Sequence, residues 1–171
     1  MSFTYRRLQP HEAGIYRSLR LEALKNHPDN FDSTYAAESA KPKLSFEESI
    51  EHQSTDRFIM GAFYNNRLIG ICGFSQEPLG KFHHKGSIIQ MYVNPEFKGN
   101  KTGFHLLIAT ANEAFITTEV EQLILGVVAT NMAANRIYEQ VGFKEYGFHK
   151  GYQKNGDAYS DERLMILYRP V

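Results

Sequence analysis

The sequence predicts a mixed α/β domain on one largely antiparallel sheet of about seven strands, with helices on both faces. Three observations carry this. Short β-rich runs follow one another in hairpin order in the first half, strand–helix–strand order takes over after residue 87, and turn residues separate the runs. A chain of 171 residues is long enough to bury most of its unfolded surface around one core, so residues 1–171 read as a single domain.

Phe3, Tyr5 and Arg7 alternate with Thr4, Arg6 and Leu8 as a strand, and Pro10 opens a helix with Ile15, Leu19 and Ala23 on its apolar side. From His27 to Leu44, Pro28, Pro42 and many polar residues predict a long irregular connection of the kind that frames binding sites. Two β-rich runs between Arg57 and Phe74 flank Asn65-Asn66, residues that tolerate the left-handed backbone of a tight hairpin. Ser87 to Asn94 is the next strand, and a helix with Phe104, Leu107, Ile108, Ala111 and Phe115 as its stripe follows. Leu123, Leu125 and Val127 alternate as a strand, Asn131 caps a helix that stops at Gly142, and strands close the chain around Phe143 to Lys150 and Tyr159 to Arg169.

Composition removes several functions. Lys+Arg 19 against Asp+Glu 19 gives no polyanion-binding excess, so no nucleic-acid partner is expected, and no apolar run has the length of a membrane span. The start, Met1 to Gln9, lacks the pattern of a signal peptide, and Cys72 is the only cysteine, which rules out an internal disulfide; a cytoplasmic protein is expected. Cys72 lies in an apolar strand with no histidine motif, so it reads as core rather than as a nucleophile. His83 and His84 are adjacent on an extended run and point to opposite faces, so no metal site is expected.

Two segments carry chemistry. Phe97 to Asn112 contains Lys98, Lys101 and His105 but no acid, and Gly99 and Gly103 lie where a strand gives way to a helix. A helix start presents unpaired N–H groups, and glycines let a phosphate approach the main chain, so the segment is built for an anion. Alone, such a stretch is an ordinary turn with solvated lysines. It is not the loop that wraps nucleoside triphosphates, because Asn100 and Pro95 stand where that motif needs glycines, and no dinucleotide fingerprint is present. In the second segment Asn131, Ala134 and Tyr138 recur at helical spacing, so one long ligand could touch Asn131 and Tyr138 past a small Ala134.

Together the strand ending Tyr92-Val93-Asn94-Pro95, the loop Lys98 to Gly103 and the run Asn131 to Phe143 resemble the GNAT superfamily of N-acetyltransferases. The resemblance covers roughly Ser87 to Phe143 and implies acetyl-CoA as acetyl donor and a primary amine, on a small molecule or a peptide, as acceptor. It puts Met91, Tyr92 and Val93 along the acetyl and pantetheine groups, with Lys98, Gly99, Asn100, Lys101, Thr102, Gly103 and Phe104 around the pyrophosphate. Asn131 and Asn135 would contact the same arm. Lys101 stands where the family carries glycine. Tyr138 matches the family's general acid for the departing thiolate, and a backbone N–H of Met91 to Val93 would serve the oxyanion.

The base stays open. Gln90 stands on a strand with no Asp or Glu, leaving Glu22, His83, His84 or a water relay. By fold analogy the acceptor would meet Arg20, Glu22, Phe31, Tyr35 and Gln90. A homodimer is compatible with the family, and a non-catalytic acyl-CoA sensor is the alternative function.

Overall fold

The computed structural model describes residues 2–170; Met1 and Val171, which belong to the expected single domain and its polar start, lie outside the described residues. Seven strands form one sheet in the order β1-β2-β3-β4-β5-β7-β6. They are β1 (Phe3–Arg7), β2 (Arg57–Tyr64), β3 (Arg67–Gln76), β4 (Lys85–Val93), β5 (Gln122–Val128), β6 (Lys144–Asn155) and β7 (Ala158–Tyr168). The helices are α1 (Ala13–Asn26), α2 (Tyr35–Ser39), α3 (Ser45–Glu51), α4 (Thr102–Thr117) and α5 (Met132–Val141). Every neighbouring pair is antiparallel except β4 and β5.

Strand side chains alternate between faces, and the two resulting cores are distinct. Ile59, Phe63, Ile71 and Tyr92 face α1 and α3 with Leu19, Leu44 and Phe46, whereas Phe58, Met60, Cys72 and Phe74 face α4 with Leu106, Leu107 and Ala111. Covered on both sides, β2 and β3 can be apolar at every position, which is why their sequences run almost without a break. Asn65 and Asn66 take φ of 47° and 66° at the hairpin, and Gly142 ends α5 at φ 112°.

Three expectations change. Tyr16 rather than Ile15 faces the core from α1, since Tyr16 is fully buried and Ile15 is 45% exposed. Tyr16 earns that place by donating its hydroxyl to Gln90 Oε1 at 2.8 Å, a pairing that apolar periodicity does not register. The stripe of α4 is rotated: Leu107 and Ala111 are buried with Leu106, Thr110 and Ala114, while Phe104, Ile108 and Phe115 are only half-buried. The connection from His27 is not wholly irregular, because α2 lies within it and α3 follows; each is too short to show a helical period. Arg17 joins this region to α1 through Glu47 Oε2 at 2.9 Å and the Lys41 carbonyl at 2.6 Å.

Candidate active site

The site begins as a defect in the sheet. β4 and β5 pair only from Lys85 to Ser87 against Gln122 to Ile124, and beyond that they separate. At the same level β4 is bulged: Ile71 opposes Tyr92 and Gly73 opposes Ile89, so Cys72 stands against both Gln90 and Met91. Gln90 takes φ 56°, a left-handed conformation that costs a side-chain-bearing residue about 1 kcal/mol or more. The bulge re-aims Met91, and the departure of β5 leaves one edge of Ile88 to Val93 without a strand partner. A cleft of about 740 Å³ fills the gap, lined along β4 by Met91, Tyr92 and Val93.

The loop expected to receive phosphate borders one end of this cleft. Gly99 has φ 89°, and Lys101, the N-cap of α4, has φ 54° and ψ 19°. The glycine expected at that position therefore has a backbone reason, which Lys101 meets at the cost of strain. The first helical bond runs from His105 N–H to the Lys101 carbonyl at 3.0 Å, so the amides of Thr102, Gly103 and Phe104 have no helical acceptor. Lys98, Gly99, Lys101, Thr102, Gly103 and Phe104 all line the cleft, whereas Asn100 does not. Gly103 is needed for packing: a Cβ there would stand 3.0 Å from Ile137 Cδ1 and 3.3 Å from Met91 Cε.

Across the gap, Asn131 and Tyr138 line the cleft with Ala134 between them. Asn131 Oδ1 accepts the Ala134 N–H at 3.2 Å, leaving its amide nitrogen uncommitted to that cap. Asn135 does not line the cleft. It is 3% exposed, its Nδ2 donates to the carbonyls of Asn131 at 2.8 Å and Val128 at 3.2 Å, and its Oδ1 accepts from Arg163 Nη1 at 2.5 Å. Asn135 thus braces the turn that carries Asn131, and the reading of it as a ligand contact is corrected. Burial first, and then the buried Cys72 thiol, push the Tyr138 phenol well above its ordinary range, so it holds its proton throughout the neutral range.

The other end of the cleft is walled by α1, the loop after it and the C-terminal hairpin. Arg20, Phe31 and Gln90 are there as expected. Glu22 is not: it faces a separate shallow hollow, where its Oε1 accepts from Tyr92 Oη at 3.1 Å and Asn94 Nδ2 at 3.3 Å. Tyr35 is 42% exposed, with Lys25 over its ring. His83 and His84 precede β4, at the end where β4 and β5 are still paired, so neither reaches the gap. Cys72 is fully buried, and burial pushes its thiol up to about 12, which removes it as a nucleophile. No cluster of three potential metal ligands occurs among the described residues.

Two acids absent from the expected set line this end, Asp32 and Glu162. Asp32 is fixed by Tyr152 Oη at 2.9 Å and Gln153 Nε2 at 3.0 Å, which ties the loop to β6. Glu162 extends across β5 so closely over Gly126 that any side chain on Gly126 would collide with its carboxylate. Burial, then the nearby charge of Asp32, raise its pKa, while His149 opposes the shift. A readable signal existed: by strand alternation Glu162 continues the face of Leu164 and Ile166 on β7. Its distance in sequence from every motif hid the connection.

Comparison with known proteins gives the same architecture. The family model described as "Acetyltransferase (GNAT) family" matches residues 18–143. An acetyltransferase of the GNAT family from Streptococcus pneumoniae superposes with a TM-score of 0.81 at 19% identity, over 98% of this chain and 100% of that one. A ribosomal-protein-alanine N-acetyltransferase from Brucella melitensis gives 0.78 at 19% identity, over 97% and 99%. The yncA protein from Salmonella typhimurium, solved with its cofactor acetyl-CoA, gives 0.78 at 18% identity, over 98% and 94%. At these identities the structures establish the fold, and the family model establishes the lineage: the chain belongs to the acetyltransferase (GNAT) family.

Proposed function

We propose that this protein is an N-acetyltransferase that takes acetyl-CoA as donor and a primary amine as acceptor, the amine attacking the thioester directly. One observation carries the reading: the gap between β4 and β5 runs without interruption from the free amides at the start of α4 to Tyr138 and Glu162. The donor set fits the ligand. Backbone N–H groups of Thr102 to Phe104, with Lys98 and Lys101 beside them, suit a pyrophosphate, and the unpaired edge of Met91 to Val93 suits an extended amide chain. When bound, acetyl-CoA supplies an activated acyl thioester.

The chain's own residues divide the remaining work. Glu162, with its raised proton affinity, accepts the proton that the amine must lose, directly or through water. Tyr138 presents a phenolic proton from the α5 wall to the sulfur that leaves. Main-chain N–H groups at the bulge, aimed by the backbone of Gln90 and Met91, serve the oxygen on which charge develops.

Thiol release from acetyl-CoA across a panel of amines tests the activity, and absence of release with every amine would leave a sensor. CoA alone tests the cleft. At a hundredfold excess over Kd, binding adds about 2.7 kcal/mol of stability, a rise in Tm of roughly 5–10 °C for a chain of this size. No shift at millimolar CoA would overturn the assignment of the cleft.

Lys101→Gly gives a separate expectation. Replacing a strained left-handed lysine by glycine should raise Tm by about 2–4 °C, and CoA affinity measured by calorimetry should be retained or improved. A loss of affinity that shrinks at high salt would instead assign the ammonium a contact with phosphate.

A further inference from the structure

Arg20 is a buried charge with nothing to bond. It lies on the inward face of α1, one turn after Tyr16, and is 3% exposed. Its Nε and Nη1 are sealed from water with no hydrogen-bond partner, and among the described residues no carboxylate forms an ion pair with it. A guanidinium carries five donors and stays charged in a protein, so this arrangement disfavours the folded state unless something else supplies acceptors. The acids in its neighbourhood are engaged elsewhere. Glu38 Oε1 holds Lys41 Nζ at 2.6 Å, and both oxygens of Asp32 accept from β6. The ring of Phe31 lies 4.6 Å from the guanidinium carbon, which favours a cation but offers no lone pair in the plane of the donors.

The remaining nitrogen, Nη2, is not among the sealed atoms, and Arg20 and Phe31 both form part of the cleft wall. Tyr16, on the same helix face, reaches Gln90 Oε1 at 2.8 Å, which locks the Arg20 turn of α1 to the β4 bulge. The acceptor end therefore holds a fixed, unpaired cation beside two acids, Asp32 and Glu162. A ligand with both signs of charge complements that arrangement.

We propose that Arg20 binds an anionic group on the acceptor, a carboxylate or a phosphonate, so that the acceptor is a small amine-bearing acid held between Arg20 and Glu162. This deepens the acetyltransferase reading and rests on it. The anion meets the guanidinium at Nη2 and offsets its buried charge, and the amine end falls toward the bulge and the proposed base. Peptide amines, whose carbonyl is neutral near the amine, lack that group.

The test is thiol release from acetyl-CoA with matched acceptors: L-amino acids and β-alanine, their carboxamides, the amines lacking the acid group, and aminoalkylphosphonates. For the wild type the acid or phosphonate forms are expected to have KM at least about 10-fold below the carboxamides, and the two acid series identify which anion fits. Arg20→Met is expected to raise KM for the preferred acid about 10²-fold and bring the acid-to-carboxamide ratio near one, while Arg20→Lys restores part of it. Because an unpaired buried charge is removed, the Tm of Arg20→Met should equal or exceed that of the wild type. Equal or better use of carboxamides or peptide N-termini by the wild type would overturn the proposal while leaving the acetyltransferase intact, and this comparison needs no variant. A lower Tm in Arg20→Met with equal losses on all acceptors would also overturn it. Absence of thiol release with every amine would overturn both readings together.

Discussion

Glu162→Gln is expected to lower kcat/KM by about 10³-fold at neutral pH with acetyl-CoA affinity close to the wild type. The substitution keeps the shape that lies over Gly126 and removes only the capacity to take a proton. The pH profile gives the more specific signature. A base works as its carboxylate, and burial together with Asp32 raises the Glu162 pKa, so wild-type activity should fall on acidification at a pH above the ordinary carboxylate range. The groups facing it set the position of that limb: Asp32 moves it up and His149 moves it down. In Glu162→Gln the limb should vanish. A variant that keeps the limb, or retains near-normal turnover, would return the proton to water or another group.

Tyr138→Phe is expected to reduce kcat by about 10²-fold, the lower end for a lost general acid, with little change in CoA affinity. The ring packs edge-on to Phe143 with centroids 6.0 Å apart, and phenylalanine preserves that contact. Stability should therefore change little. A tyrosine kept for structure alone predicts the reverse, a lower Tm with nearly normal turnover. Measuring kcat, CoA affinity and Tm on one variant separates the two, and undiminished turnover would remove Tyr138 from the chemistry.

The legible part of this protein was the part written locally. Asn65-Asn66, Gly142 and Gly99 each take a left-handed backbone that few other residues tolerate, so hairpin, helix stop and anion loop could be placed from the letters alone. Asn131 and Tyr138 share a helix face at local spacing, Met91 to Val93 came from the family resemblance, and all of them line one cleft. What escaped depends on long-range pairing. Glu162 reaches the gap only because β7 inserts between β5 and β6, an order that no residue in either strand announces. The inward turn of Tyr16 and Arg20 rests on Gln90 and the cleft, partners far away in sequence, and helical periodicity scores both as polar. Asn135 misled for the opposite reason: it sits among cleft-lining residues, yet its amide bonds the turn beneath them.

The early parting of β4 and β5 makes this a sheet with two inner edges. An outer edge will pair with any passing strand, which is why proteins cover or charge it. Here two edges face each other inside the molecule, with α4 and α5 beside them, and the slot between them admits one extended chain bearing amides of its own. The pantetheine arm is such a chain, so its arrival would complete the ladder as a strand from outside the polypeptide. The half-sheet β1 to β4 and the half-sheet β5 to β6 would then be joined along their whole length instead of at three residue pairs near Ser87. Bound in this way the donor would be a structural member of the fold for as long as it stays, and its departure as free CoA would leave the two inner edges unpaired again.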